Sequence, residues 1–245
     1  MAISERLKIG TPTQEALLRE ADNLANNPPT VIMIPTSYFG EGHKKMHEGW
    51  SRMLVRCAIG SYIYHSTLYP EEEKPHFASY GRPPKRERPA NYEQVSKFLK
   101  ETFGVDPDFI YGFPKSKGVG EEVRSLYQLT RDLSARGINS PVAIPAADFE
   151  VRRIAQEWLN LLRDNHLTAP ENRIYFVTPK SLVSAKLRIS SACPKAVHDS
   201  MVHYIELGAG RRLAGGLRED AEFILSMSPK PVRDFTVGRF GTKYP

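Results

Sequence analysis

Residues 28–37 read Pro28-Pro29-Thr30-Val31-Ile32-Met33-Ile34-Pro35-Thr36-Ser37, and this stretch decides the fold class. Val31 to Ile34 form a continuous apolar run, too short for a buried helix and fenced on both sides by proline. A run without polar alternation reads as a strand buried on both faces, which a parallel sheet covered by helices requires. Upstream, Thr11 can cap a helix, Pro12 suits its first position and Gln14 completes a capping-box spacing. That helix continues through Leu17, Leu18, Ala21 and Leu24 and stops before Asn26-Asn27-Pro28-Pro29.

Downstream the same alternation repeats. Met46, Trp50, Met53, Leu54 and Cys57 recur at helical spacing, and Ser61-Tyr62-Ile63-Tyr64-His65 reads as a second strand. Residues 70–89, rich in Pro, Lys, Arg and Glu and lacking periodicity, read as a long exposed excursion. Tyr92, Val95, Phe98 and Leu99 restart a helix that ends near Gly104, followed by a third strand at Phe109-Ile110-Tyr111-Gly112-Phe113. A helix from Val119 to Arg136 stops at Gly137; Val142-Ala143-Ile144 is a fourth strand. Val151, Ile154, Ala155, Trp158 and Leu162 mark a helix, Ile174-Tyr175-Phe176-Val177 a fifth strand, and the remainder reads mostly helical up to a basic tail.

Five buried-type strands alternating with amphipathic helices demand right-handed βαβ crossovers. The expected fold is a three-layer, doubly wound, mostly parallel Rossmann-like α/β sheet, one domain over residues 1–228 with a basic tail at 229–245. In such sheets a ligand lies outside the carboxyl ends of the strands, where the strand order reverses. The loops to inspect therefore start near Thr36, His65, Pro114, Pro145 and Thr178.

The formal net charge of +6 points to anionic partners, with local density from Lys74 to Arg88 and from Lys230 to Lys243. No apolar run approaches the roughly 20 residues that cross a bilayer. The first residues, MAISERLKIG, are charged where a secretory signal would be apolar, so the expected location is the cytoplasm. Cys57 and Cys193 sit among apolar residues and read as buried, reduced thiols.

Three motifs bear on a site. Pro114-Lys115-Ser116-Lys117-Gly118-Val119-Gly120-Glu121-Glu122 joins the third strand to its helix, where glycines, exposed amides and two lysines favour an anion; the same residues would also make an ordinary βα turn. It is not a Walker loop. The loop Ser37 to Gly42 holds Gly40-Glu41-Gly42, with Lys45 where a dinucleotide fingerprint has its third glycine. His43 and His47 stand one helical turn apart, but no third ligand is indicated; they read as solvated helix residues, and no metal site is assigned. Ile205-Glu206-Leu207-Gly208-Ala209-Gly210 looks like a methyltransferase glycine motif but stands too near the end of the sequence for the sheet to follow, and reads as a helix end.

Three stretches are similar to the YdcF, SanA and ElyC family of Rossmann-like proteins, over about residues 30–180. They are Tyr92-Glu93 with Phe103-Gly104-Val105-Asp106-Pro107, then Ser116-x-Gly118-Val119-x-Glu121-Glu122, then Ala147-Asp148-Phe149-x-x-Arg152-Arg153. The second resembles the family's S-x-N-T-x-E-N loop and the third its Y-H-x-x-R-A. Ser116, Glu121 and Arg152 match; Gly118, Val119, Glu122 and Phe149 replace Asn, Thr, Asn and His. The resemblance implies a ligand site built from these loops and, by its YdcF-like branch, S-adenosylmethionine as ligand; the positive charge also allows a nucleotide.

On this reading Ser37, Gly40 and Gly42 lie close to the ligand, and Ser116 and Gly118 hold its anionic part. Arg152 pairs with a carboxylate or phosphate, and Glu121 orients Arg152 or accepts a ligand hydroxyl. No pattern assigns a nucleophile or general base, so no reaction is assigned. The alternative is a nucleic-acid-binding or assembly protein that uses the basic segment around Lys85, Arg86 and Arg88, together with the tail, on the same scaffold.

Overall fold

The chain forms a five-stranded, all-parallel sheet with helices on both faces, as seen in a computed structural model that describes residues 14–36, 46–81, 91–113, 119–147, 150–170 and 173–200. The strands are β1 (Val31–Pro35), β2 (His76–Tyr80), β3 (Ile110–Phe113), β4 (Val142–Pro145) and β5 (Ile174–Val177). Their order across the sheet is β3-β2-β1-β4-β5, and every pair is parallel. The helices are α1 (Gln14–Arg19), α2 (Met46–Tyr64), α3 (Asn91–Lys97), α4 (Val119–Ala135), α5 (Val151–Asp164) and α6 (Pro179–Ser184).

Strand alternation sorts the core into two clusters. Ile32, Ile34, Phe77, Ala143, Tyr175 and Val177 face α2, the helical turns after α3, and α6, through Met53, Ile63, Leu99 and Leu182. Val31, Met33, Ala78, Val142, Ile144, Ile174 and Phe176 face the other way, against Leu17 of α1, Val123 and Leu126 of α4, and Ile154, Trp158 and Leu162 of α5. The crossovers from β1 to β3 thus pack on one face and those from β3 to β5 on the other. This is the doubly wound arrangement the strand and helix periods predict.

Glycine closes α4 as expected. Gly137 takes φ of +74°, its N–H donates to the Ser134 carbonyl, and the Ile138 N–H reaches back to Leu133. These two bonds make a Schellman end, which a left-handed residue permits.

Two expectations fail together. Ser61 to His65 are not a strand: they end α2, whose buried stripe runs on through Val55, Ile59 and Ile63. The second strand is instead His76–Tyr80, inside the segment expected to be an exposed excursion, and Phe77, Ala78 and Ser79 are buried. Tyr and Ile favour strands only as far as their packing does, and here a helix buries them as well. Gly60 lets that helix approach the sheet: a Cβ there would lie 2.9 Å from the Phe77 ring and 3.1 Å from Ile32 Cγ2. Because α2 runs back from the carboxyl end of β1, His65 lies at the amino end of the sheet, away from the strand ends it was grouped with.

Candidate functional site at the strand-order reversal

With order β3-β2-β1-β4-β5, crossovers leave β1 and β4 toward opposite faces, so the crevice opens beyond Pro35 and Pro145. A connected set of buried polar groups occupies that end of the sheet. Arg56, from the middle of α2, donates from Nη2 to Glu150 Oε1 at 2.9 Å and from Nε to Oε2 at 3.2 Å. Its Nη1 donates to the Pro35 carbonyl at 2.5 Å. Both side chains are only 2% exposed. Glu150 Oε2 also accepts the Ala147 N–H at 3.3 Å, so the turn leaving β4 is pinned to the end of β1 through one guanidinium.

The second half of the set faces β2. The Thr36 N–H donates to Glu122 Oε1 at 2.7 Å, and the Thr36 hydroxyl oxygen lies 3.0 Å from the same carboxylate oxygen while donating to the Tyr80 carbonyl. Glu122 comes from the first turn of α4 and is 3% exposed. Beneath it a small crevice between β1, β4, α4 and α5 is lined by Met33, Pro35, Val123, Leu126, Ile144 and Ile154. Burial, and after it the field of Asp132, push the Tyr80 hydroxyl above its usual range.

The electrostatics differ between the two helix starts. At α5 the Glu150 and Val151 amides donate to the Ala147 carbonyl, and those of Arg153 and Ile154 donate to the Glu150 carbonyl. Glu150, the residue before α5, pairs its carboxylate with Arg56 and accepts the Ala147 N–H. At α4 the first turn offers two acids: Glu122, turned in to Thr36, and Glu121, half-buried.

Of the residues expected to line a site, Glu121 and Arg152 fall in the first turns of α4 and α5, both at the carboxyl end of the sheet. The Arg152 side chain is exposed, and its carbonyl accepts from Gln14 Nε2 at 2.7 Å. Ser37, Gly40, Gly42, Ser116 and Gly118 lie outside the described residues, as do His43, the His47 side chain and the Gly208–Gly210 stretch. Among the described residues no three His, Cys, Asp or Glu side chains gather as a metal site.

From the sequence, Thr36 is read only as the start of a loop and Glu122 only as the end of the motif leading into α4, and no motif contains Arg56 or Glu150. One signal was available for Arg56, a lone charge inside the run Val55 to Ile59. Both cysteines are free; Cys57 is fully buried, and burial outweighs the lowering effect of Arg56 to push its thiol up to about 12.

The all-parallel sheet and its strand order define a doubly wound α/β protein of Rossmann-like type. No protein-family model, curated protein or solved structure matches this chain. Among the described residues no helix is long and apolar enough to cross a membrane.

Proposed function

We propose that this protein is a YdcF-like binder of an anionic small molecule, nucleotide-like or S-adenosylmethionine-like, held at the carboxyl ends of β1 and β4. The observation that carries the reading is the buried set Thr36, Arg56, Glu122 and Glu150 at the strand-order reversal. Burying an ion pair costs several kcal/mol per charge before the partners repay it, and an apolar filling is often as stable or better. A fold that keeps such groups at the end where ligands bind is holding loops in place for that purpose.

Arg56 and Glu150 position the turn after β4, and Glu122 fixes the chain leaving β1. The ligand contacts fall to Ser37, Gly40 and Gly42 after β1, to Ser116, Gly118 and Glu121 at α4, and to Arg152 at α5. Arg152, exposed in its first turn, suits a phosphate or carboxylate. Glu121 suits a ligand hydroxyl or amine. No group in the set is arranged as a nucleophile with its base, so the reading is binding, with no reaction assigned.

The test is a thermal-shift panel of S-adenosylmethionine, ATP and phosphosugars on the full chain. A ligand at a hundred times its Kd stabilises by about 2.7 kcal/mol. One member of the panel raises Tm, and Arg152→Ala removes the rise without lowering the ligand-free Tm. A flat response across the panel contradicts the reading.

A further inference from the structure

β3 is the outermost strand of the sheet and pairs with β2 alone. Of its residues Ile110-Tyr111-Gly112-Phe113 the last three are exposed, Tyr111 at 49% and Phe113 at 37%. The Gly81 N–H donates to the Phe113 carbonyl, so the N–H and C=O groups of Tyr111 and Phe113 turn inward to β2. Successive residues of a strand address opposite edges, so those of Ile110 and Gly112 turn outward. Among the described residues nothing pairs with that outer edge. Edge strands are commonly guarded by a lysine, a proline or a bulge; β3 holds neither residue, and its register with β2 is unbroken.

Side chains make the edge symmetrical about Gly112. Tyr111 and Phe113 share one face, where Tyr80 lies nearly parallel to Phe113 at 4.8 Å. On the other face the Tyr92 ring stands where a Gly112 Cβ would be. An outward-turned backbone at the centre thus has a ring on either side. A second copy laid antiparallel, with a two-fold axis at Gly112, complements this pattern. The two glycines exchange a pair of N–H···O bonds. Each Tyr111 then falls opposite the partner's Phe113 in the closer, non-hydrogen-bonded spacing, where aromatic pairs gain most.

The charges of the described residues agree with that pairing. The strand itself is neutral, and Asp106 and Asp108 stand at its amino end. An antiparallel partner carries its own Asp108 to the far end of the seam, roughly 25 Å away and beyond the reach of screened repulsion. Asp132, the acid that bears on Tyr80, comes from α4, which packs against β1, inward of the seam.

We propose that β3 is a self-association edge, through which two copies of the chain pair antiparallel about Gly112 and cover Tyr111 and Phe113. The contact is isologous, so it closes as a dimer and joins the two five-stranded sheets. Four residues make a short seam, at the small end of protein interfaces, and the dimer is weak, with Kd on the order of 10 μM. The inference does not depend on the small-molecule reading.

Sedimentation velocity of the full chain, across concentrations on either side of that Kd, tests the association. The chain is monomeric at the low end and dimeric at the high end. Tyr111→Lys and Phe113→Lys each put a charge in the seam and hold the chain monomeric throughout. The register is tested by crosslinking in a Cys193→Ser background. Chains bearing Tyr111→Cys and chains bearing Phe113→Cys form a disulfide-linked dimer on mild oxidation when mixed, and neither does so alone. This second measurement keeps the test open if the lysine forms fold poorly. The proposal is overturned by a monomer at every concentration, which would leave the edge to a strand of another protein. It is also overturned by a dimer that both lysine variants preserve, or by crosslinking no greater in the mixture than in either chain alone.

Discussion

Arg56 and Glu150 stand 94 positions apart in the chain and meet as a two-pronged ion pair behind the carboxyl end of the sheet. Through the Pro35 carbonyl and the Ala147 amide, that pair ties together α2, the end of β1 and the turn before α5. It thereby joins both strands flanking the reversal.

Removing one partner leaves the other charge buried. Arg56→Met or Glu150→Gln therefore destabilises the fold by about 3–5 kcal/mol. The double variant Arg56→Met with Glu150→Leu recovers much of the loss. Urea denaturation at neutral pH measures all three, and equal loss in single and double variants would refute the coupling.

Thr36 contributes through its hydroxyl, set between the Tyr80 carbonyl and Glu122. Thr36→Val keeps the shape and the residue-36 N–H on Glu122 but removes the hydroxyl donor from the Tyr80 carbonyl, costing about 1–3 kcal/mol. Thr36→Ser restores the bond. The same denaturation assay separates them, and no difference between Val and Ser would contradict the geometry.

Acid stability is governed in part by His65, at the opposite end of the sheet. Its Nε2 bonds to the Phe103 carbonyl at 2.8 Å, as a donor in the neutral ring. Burial lowers its pKa below the usual imidazole value, with Lys74 adding to the effect and the Phe103 carbonyl and Glu71 opposing it. A lowered folded pKa means that the unfolded chain binds the proton first. The stabilisation is complete above about pH 6.5 and declines as pH falls toward the folded pKa. Unfolding free energies from pH 8 to pH 5 will show this slope, and His65→Gln will reduce it. An unchanged slope in His65→Gln would assign the acid sensitivity elsewhere.

Thiol chemistry reads out the packing of α2. The Cys57 thiol, pushed up to about 12 and fully buried, stays unreacted with iodoacetamide in the folded chain. Cys193, half-buried and raised by a smaller burial, reacts first. Mass spectrometry of labelled peptides checks the order, and early labelling of Cys57 would show that the helix opens.

The parts of the fold visible in the sequence are those where one physical signal dominates. Val31 to Ile34, Val142 to Ile144 and Ile174 to Val177 are apolar without interruption, and all three are buried strands. His76 to Tyr80 escaped because its burial pattern is broken by an exposed His76 and a buried Ser79, and because prolines and charges surround it. Ser61 to His65 misled because β-favouring residues there extend a helical stripe whose fit depends on Gly60 against Phe77. At the site, the strand-end rule pointed to Thr36. Nothing local links Arg56 to Glu150 or Glu122 to Thr36, since those contacts exist only once α2, α4 and α5 are placed on the sheet.

The central claim is that a small anionic ligand sits where β1 and β4 part. Hydrogen–deuterium exchange on the full chain, with and without saturating S-adenosylmethionine or ATP, tests it most directly. The account predicts added protection at Thr36, at Ala146 and Ala147, and over the first turns of α4 and α5, with little change elsewhere. Protection confined to the amino end, around His65 and Lys74, or none with any ligand that raises Tm, would contradict it.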